Sequence, residues 1–296
     1  MRVVEIIGYY VRGFLMGLAD SVPGISGGTI AFVTGIYTRL IDNLYIISEF
    51  FKKHLWKLNF KFLFKELDWL FLISLGAGIV SAVVVMGHTM VMLLANYRAM
   101  VWATFAGLVV GSLYVVAREV KFSWRVVLTG TIPGLVFGFL IMSSGVSQLP
   151  NTALNVFISG AIAICAMILP GISGSTVLVI LNQYEHIMSL IKMISSNPFG
   201  SPMWAYIHIG AFLLGILVGL LSFVRLLHYL LRKAYNWTMA VLTGLMIGVL
   251  PVFWPWRENG KFVLPAEGEV LYASLLFVAG AIFIIVLQRI LPADKI

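Results

Sequence analysis

The sequence predicts an all-α polytopic membrane protein built from two inverted repeats. Of its 296 residues, 60% are hydrophobic and only 11% are charged. The mean hydropathy of +1.00 is far above that of a soluble domain of this length. Long apolar runs recur along the whole chain, and a Pro-Gly-Ser motif occurs once in each half. These observations together favour repeated membrane-spanning helices over a soluble fold.

Six apolar runs are long enough to cross a bilayer, since a transmembrane helix needs about 20 predominantly apolar residues. The predicted spans are 69–94, 98–118, 125–143, 204–231, 237–256 and 269–291. Two further apolar stretches, 3–50 and 150–192, are interrupted midway by SVPGISGGT and ILPGISGST. Because a helix does not continue through Pro-Gly followed by Gly, each stretch predicts two helical arms joined by a break. Each is either a re-entrant hairpin or a discontinuous helix.

The interrupted stretches also reveal an internal repeat. GFLMGLADSVPGISGGTIAFVTGIY at 13–37 aligns with GAIAICAMILPGISGSTVLVILNQY at 160–184, and FAGLVVGSL at 105–113 aligns with LTGLMIGVL at 242–250. The predicted repeats are 1–147 and 148–296, each with one re-entrant hairpin and three spans. Since each half crosses an odd number of times, the second copy enters from the opposite face. The GxxxG pairs Gly107/Gly111 and Gly244/Gly248 predict close helix packing.

Loop charges give the orientation of this layout. Lys and Arg concentrate in cytoplasmic loops, and loop 51–68 holds five lysines while loop 118–125 holds three basic residues. The nearly uncharged loops SSGVSQLPNTA and SSNPFGSPM fall on the other side. We therefore expect both termini in the cytoplasm. The same bias explains the net charge of +8 without nucleic-acid binding.

Each break carries the groups of an anion site. Backbone N–H groups at a helix start, together with hydroxyls, bind phosphate without a charged side chain. The competing interpretation is that Pro and Gly only turn the chain and that the hydroxyls cap helices. Duplication at membrane depth, where each unsatisfied polar group costs several kcal/mol, favours a site made where the two tips meet. The candidate residues are Asp20, Pro23, Gly24, Ser26, Gly27, Gly28, Thr29, Pro170, Gly171, Ser173, Gly174, Ser175 and Thr176.

Charged residues within apolar segments are further candidates. Asp20 either binds a coupling proton or cation or accepts N–H bonds at the break, and its counterpart in the second repeat is Met167. Arg12 is a possible phosphate contact, although snorkelling to the cytoplasmic surface is the favoured interpretation. Glu185 and Arg225 are candidates of the same kind.

Motifs for enzymatic chemistry are missing from the sequence. It contains no HExxH, CxxC, GxSxG or P-loop pattern, and its single cysteine, Cys165, has no partner for a metal site. We expect no metal, no cofactor and no enzymatic activity.

ADSVPGISGGTIAFVTGIY at 19–37 and LPGISGSTVLVILNQY at 169–184 resemble the PopT family of bacterial and archaeal membrane proteins, the polyprenyl-phosphate translocases. The resemblance covers essentially the whole chain. It implies a flippase in a bacterial cytoplasmic membrane that returns undecaprenyl phosphate to the cytoplasmic leaflet after cell-wall polymer synthesis. It also implies that the motif residues of both breaks form the site.

Three alternatives stand beside this interpretation. A secondary transporter or channel for a small soluble anion would use the same cradle without a lipid tail. A lipid-phosphate enzyme would consume its substrate, and a structural or assembly protein would use the breaks for packing. The motifs specify neither the coupling ion nor the oligomeric state.

Overall fold

The computed structural model describes residues 2–20, 26–54, 59–118, 120–143, 149–170, 172–258, 261–265 and 268–290. It confirms an all-α polytopic membrane protein, apart from a hairpin of two-residue strands, β1 Arg257–Glu258 and β2 Lys261–Phe262. The helices in chain order are α1 Arg2–Asp20, α2 Gly27–Val33, α3 Tyr37–Glu49, α4 Phe60–Glu66, α5 Trp69–Asn96, α6 Arg98–Ala117, α7 Trp124–Val126, α8 Ile132–Ser143, α9 Ala153–Ile168, α10 Gly174–Ile180, α11 Tyr184–Ser196, α12 Met203–Lys233, α13 Tyr235–Val249 and α14 Glu269–Ile290.

Four stretches of helix in the described chain are long and apolar enough to cross a membrane alone. They are Arg98–Ala117, Trp124–Ile141, Met203–Lys233 and Glu269–Arg289. The second combines α7 and α8, which a π-helical turn at Val127–Thr131 joins. A fifth candidate is the pair α10 and α11, which is bent by 108°.

The other two predicted spans differ in how well they match. Helix α5 covers the predicted span 69–94, but α13 ends at Val249, short of the predicted end at 256. The chain continues as a 3₁₀ turn, Leu250–Phe253. Pro251 and Pro255 lack the N–H that a continuing α-helix requires, which explains the early end.

The two interrupted stretches each fold as three helices, so the prediction of two arms was incomplete. The predicted breaks separate α1 from α2 and α9 from α10. A second turn then separates α2 from α3 at Gly35, with φ of 73°, and α10 from α11 at Asn182, with φ of 55°. These two residues are repeat counterparts. After each, an N–H donates five residues back, from Ile36 to Ala31 at 3.0 Å and from Gln183 to Leu178 at 2.8 Å, as in a Schellman cap.

Helix pairing recurs in the two halves. Gly13 of α1 packs on the Leu75 carbonyl of α5, and its counterpart Gly160 of α9 packs on the Phe212 carbonyl of α12, which is the counterpart of Leu75. A Cβ at either glycine would collide with the facing backbone. Gly17 continues the first contact at Ile79, so α1 and α5 run parallel.

The GxxxG glycines pack as predicted. Gly107 of α6 lies against the Phe277 carbonyl of α14, and Gly244 of α13 lies against the Thr131 carbonyl next to α8. Gly111 meets Ala281 one turn further on. These small residues let the helix backbones approach closely.

Hydrogen bonds identify one end of the bundle, which we call the basic end, where α6 ends and α13 begins. There the Lys121 N–H donates to Asn236 Oδ1 at 2.6 Å, and Asn236 Nδ2 donates to the Lys121 carbonyl at 3.0 Å. At the other end, the rings of Trp102 and Phe253 lie 6.1 Å apart. Helices α6 and α13 are therefore antiparallel.

Helix α3 connects α5 to α12 at the basic end. Near its start, Arg39 forms an ion pair with Asp68, which caps α5. Asp42 lies one turn further along α3 and accepts a hydrogen bond at 2.6 Å from Arg232 near the end of α12. Since α5 starts and α12 ends at this end, the two helices run in opposite directions.

Candidate functional site

The two helix breaks are in direct contact. Ser26 Oγ, from the first break, donates to the Met167 carbonyl at 2.8 Å, and the Tyr37 hydroxyl donates to the Ile168 carbonyl at 3.1 Å. Both acceptors belong to the last turn of α9, whose carbonyls have no intrahelical partner. A Cβ at Gly28 would lie 2.8 Å from the Ile168 oxygen, so the approach requires glycine. We expected the two tips to meet, and in the structure they pack directly against each other.

The first break satisfies its own donors. The Gly27 N–H donates to Asp20 Oδ1 at 2.6 Å, the Gly28 N–H to Ser26 Oγ at 3.1 Å, and the Thr29 N–H to the Ser26 carbonyl at 2.9 Å. All four residues from Ser26 to Thr29 are buried. The expectation of bare N–H groups here was wrong, because a carboxylate and a capping hydroxyl fill the positions that an anion would take. Asp20 thus accepts an N–H bond at the break, which is one of its two expected roles, and its role as a coupling site stays a prediction.

The second break is more open. Gly174, Ser175 and Thr176 at the start of α10 are half-buried. Ser173, before them, is 7% exposed, and its hydroxyl lies 2.6 Å from the Ser175 hydroxyl. Within the described part of the chain, the N–H groups of Gly174, Ser175 and Thr176 and the Thr176 hydroxyl have no acceptor. The second break therefore offers the donors that the first one uses internally.

A difference in sequence accounts for this asymmetry. The residue equivalent to Asp20 is Met167, which has no acceptor oxygen in its side chain. Ser173 forms no capping hydrogen bond to α10, whereas Ser26 caps α2. Pro170 is buried just before the second break. Pro23, Gly24 and Gly171 lie outside the described residues.

The charged candidates lie away from the breaks. The expected snorkelling of Arg12 was wrong, because its side chain is only 5% exposed and its guanidinium lies 5.8 Å from the centre of the Tyr9 ring. Eight residues of α1 separate it from Asp20, about 12 Å along the helix. Arg225 donates to the Ser48 carbonyl of α3 at 2.7 Å. Glu185 is exposed on the first turn of α11.

A small apolar cavity of about 60 Å³ adjoins the first break, between α1, α2, α6 and α14. Thr29 and Ser112 face it, and Ser112 donates its hydroxyl to the Leu108 carbonyl at 2.5 Å. Among the described residues, no group of three or more His, Cys, Asp or Glu side chains could hold a metal ion.

Sequence reasoning missed Tyr37 as a member of the contact between the breaks. Its signal was present, because Tyr37 and Tyr184 occupy equivalent positions two residues after the turn residues Gly35 and Asn182. Of these two tyrosines, only Tyr37 has a hydrogen bond to the opposite repeat among the described contacts.

Comparison with known proteins gives the family of the chain. Residues 16–271 match the model of a family described as undecaprenyl phosphate translocase-like. A polyprenyl-phosphate transporter of Vibrio cholerae serotype O1 is 36% identical over 269 residues, covering 90% of this chain and 84% of the relative. A polyprenyl-phosphate transporter of Staphylococcus aureus is 27% identical over 301 residues, covering 96% of this chain and 97% of the relative. No solved structure matches the chain.

These relatives are transporters, in agreement with the expectation of a non-enzymatic protein. The family match covers far more than half of the 296 residues. The chain belongs to the undecaprenyl phosphate translocase-like family.

Proposed function

We propose that this protein moves a polyprenyl phosphate, with undecaprenyl phosphate as the expected carrier lipid, across the bacterial cytoplasmic membrane towards the cytoplasmic leaflet. Family membership and the names of two relatives support the substrate class. The spanning helices support a multi-pass position in the membrane. The phosphate must cross hydrocarbon, whereas the isoprenoid tail can stay in lipid. A polar path the size of the headgroup is therefore sufficient.

The phosphate binds, in this proposal, at the second break. The observation that supports it is a set of donors on Gly174, Ser175 and Thr176 that have no acceptor among the described residues. They lie beside the hydroxyl pair of Ser173 and Ser175. Hydrogen bonds to a charged acceptor contribute about 1.5–3 kcal/mol each. Several neutral donors can thus lower the cost of a buried phosphate without a lysine or arginine that would retain it.

The first break fixes the position of the helix end that precedes this site. Ser26 and Gly28 hold α2 against the last turn of α9, directly before the second break, and Asp20 joins α2 to the end of α1. Movement of either repeat would therefore change the position of Pro170 and the donors that follow it. The PGISG motifs then have different roles, one in positioning and one in binding.

The two halves act as inverted repeats in this proposal. Equivalent glycine contacts join α1 to α5 and α9 to α12, while α5 and α12 run in opposite directions. The breaks would then approach the middle of the membrane from opposite faces. Lysines and arginines at the basic end support a cytoplasmic position for that end.

Transbilayer movement of a fluorescent polyprenyl phosphate in proteoliposomes tests the proposal. Removing the donors with Ser175→Ala and Thr176→Val together should reduce the rate at least tenfold, since each lost bond to a charged group is worth about 1.5–3 kcal/mol. The matched control is Thr129→Val, because Thr129 is exposed and its hydroxyl donates to the Arg125 carbonyl of its own helix.

Two outcomes would contradict the proposal in different ways. An unchanged rate in the double variant would show that the phosphate does not bind at the second break. Movement of inorganic phosphate by the native protein, with no movement of the lipid, would favour the soluble-anion transporter.

A further inference from the structure

An apolar groove of about 630 Å³ opens at the end of the bundle opposite the basic end. The first half of α6 and the first half of α14 form its sides, and the segment Leu250–Trp256 after α13 closes it above. This volume is within the 300–1,000 Å³ of pockets that hold small ligands. The groove is separate from the two helix breaks.

The side chains that line this groove favour an uncharged, apolar occupant. Among the thirteen described residues that line it, Ser274 is the only one with a hydroxyl, and none is charged. The indole N–H groups of the roof are used elsewhere, since Trp256 Nε1 donates to Glu269 Oε2 at 2.9 Å and Trp254 Nε1 to the Val263 carbonyl at 3.4 Å. Trp254 and Trp256 therefore present apolar ring faces to the groove.

The shape of the walls also limits the occupant. Ala103, Ala106 and Ala273 leave space between the larger Phe277 and Trp254 side chains. Such alternation of small and large residues accommodates a chain with methyl branches. A straight acyl chain fills those recesses less completely, so it loses dispersion contacts.

The position of the groove relates it to the first break. Val110 of α6 faces the groove, and the neighbouring Val109 faces the small cavity that reaches Thr29. On helix α14, Phe277 lines the groove and Ile284 lines the small cavity. One helix pair thus lines both the groove and the cavity beside the contact between the breaks.

We propose that the groove binds a segment of the isoprenoid tail of the lipid substrate, on the side from which the lipid enters. This inference rests on the proposed function, because it assigns a second site to the same substrate. The groove has room for a few isoprene units only, so the rest of the tail stays in the bilayer. Tail binding there holds the headgroup near the breaks before it crosses.

The test uses the full-length protein in proteoliposomes and a polyprenyl phosphate that carries a diazirine near the phosphate end of its tail. Photolysis should label residues 250–256 and the first half of α14 in the native protein. Ala106→Phe fills the groove and should reduce both this labelling and lipid movement at least fivefold. Ala77→Phe is the control, because Ala77 is exposed on α5.

A second variant and a second probe separate the possible outcomes. Ser274→Phe fills the groove from an exposed position and should act like Ala106→Phe if that variant folds poorly. A water-soluble phosphate with one prenyl unit has too short a tail to need the groove, so both variants should move it at the native rate.

Three results would overturn the inference. The first is normal movement and labelling of the long-tailed lipid in both groove variants. The second is equal labelling of the groove by a diazirine phospholipid, which would make it a site for ordinary membrane lipid. The third is labelling elsewhere in the native protein. In all three cases, movement of the lipid by the native protein would still support the proposed function. If the native protein moves neither probe, the proposed function itself fails.

Discussion

Two differences between the repeats separate a closed break from a more open one. Asp20 aligns with Met167, and the Ser26 hydroxyl caps α2, whereas the Ser173 hydroxyl lies 2.6 Å from the Ser175 hydroxyl and caps nothing. Asp20 accepts the Gly27 N–H at 2.6 Å, and its counterpart Met167 offers only its backbone carbonyl, which accepts from Ser26. Donors of the first break are thereby satisfied within the protein. Those of Gly174, Ser175 and Thr176 are available to a ligand, as far as the described residues go. The Asp20 carboxylate and the Ser26 cap are therefore the contacts that distinguish the first break from the second.

Removing this carboxylate gives the first prediction. Asp20→Ala leaves the Gly27 N–H without its acceptor, and a buried unsatisfied donor costs about 1–3 kcal/mol. We expect the free energy of unfolding in detergent to fall by that amount, and Asp20→Asn to recover part of it through its amide oxygen. Met167→Ala serves as the comparison in the other repeat. Native stability of Asp20→Ala combined with loss of lipid movement would instead make Asp20 a coupling site.

The contact between the breaks gives a second prediction. A Cβ at Gly28 would lie 2.8 Å from the Ile168 carbonyl, so Gly28→Ala must push α2 away from α9. Overpacking of this kind costs about 1–3 kcal/mol. Denaturant unfolding measures the cost, and Gly76→Ala is the control because its Cβ would meet nothing within 4 Å. Equal stability of the two variants would show that the breaks are not packed together.

Each hairpin owes its three-helix form to one turn residue. Gly35 and Asn182 have positive φ at equivalent positions and end α2 and α10 in the same way. Asn is the non-glycine residue that adopts this conformation most readily. The turn explains why α10 and α11 are bent by 108° instead of forming one straight span.

Substitution at these turns should follow backbone strain. An L-residue with a Cβ in the left-handed region costs about 1–2 kcal/mol, so Gly35→Ala should lower the free energy of unfolding by roughly that amount. Asn182 already carries a Cβ, so Asn182→Ala should lower it by less, and Asn182→Gly should not lower it. Thermal unfolding in detergent is the measurement. Tolerance of alanine at both positions would argue against the left-handed turns.

The bundle as a whole has one end rich in contacts between basic and acidic groups. Arg39 with Asp68 and Arg232 with Asp42 connect α3 to α5 and α12 there. Helices α5 and α12 run antiparallel, as the proposed inverted repeats require. In that arrangement we expect a path between the breaks to be reachable from both leaflets.

Cysteine labelling tests which end faces the cytoplasm. In a Cys165→Ala background, which removes the one native cysteine, we expect Lys53→Cys and Phe199→Cys to react with an impermeant maleimide from opposite sides. Lys53 has a side chain that is 60% exposed, and Phe199 is fully exposed. In whole cells only Phe199→Cys should react, and in inverted vesicles only Lys53→Cys. Labelling of both from one side would contradict the proposed topology.

Much of this architecture can be predicted from short stretches of sequence. Apolar length predicted the helices, Pro-Gly runs predicted the first breaks, and alignment of 13–37 with 160–184 predicted the repeat. Pro251 and the pair Gly35 and Asn182 carried equally local signals for the end of α13 and for the second turns, although the prediction did not use them. Such features depend on backbone preferences of a few neighbouring residues, so they can be read without knowing the rest of the chain.

The roles of the two breaks depend on contacts between distant parts of the chain. Ser26 reaches a carbonyl 141 residues away, and Tyr37 reaches one 131 residues away. The groove arises only where α6 meets α14 and the segment after α13. Which donors are consumed and which remain free follows from how complete helices pack against each other. That packing is a property of the assembled bundle, because its energy comes from surfaces that no single segment contains.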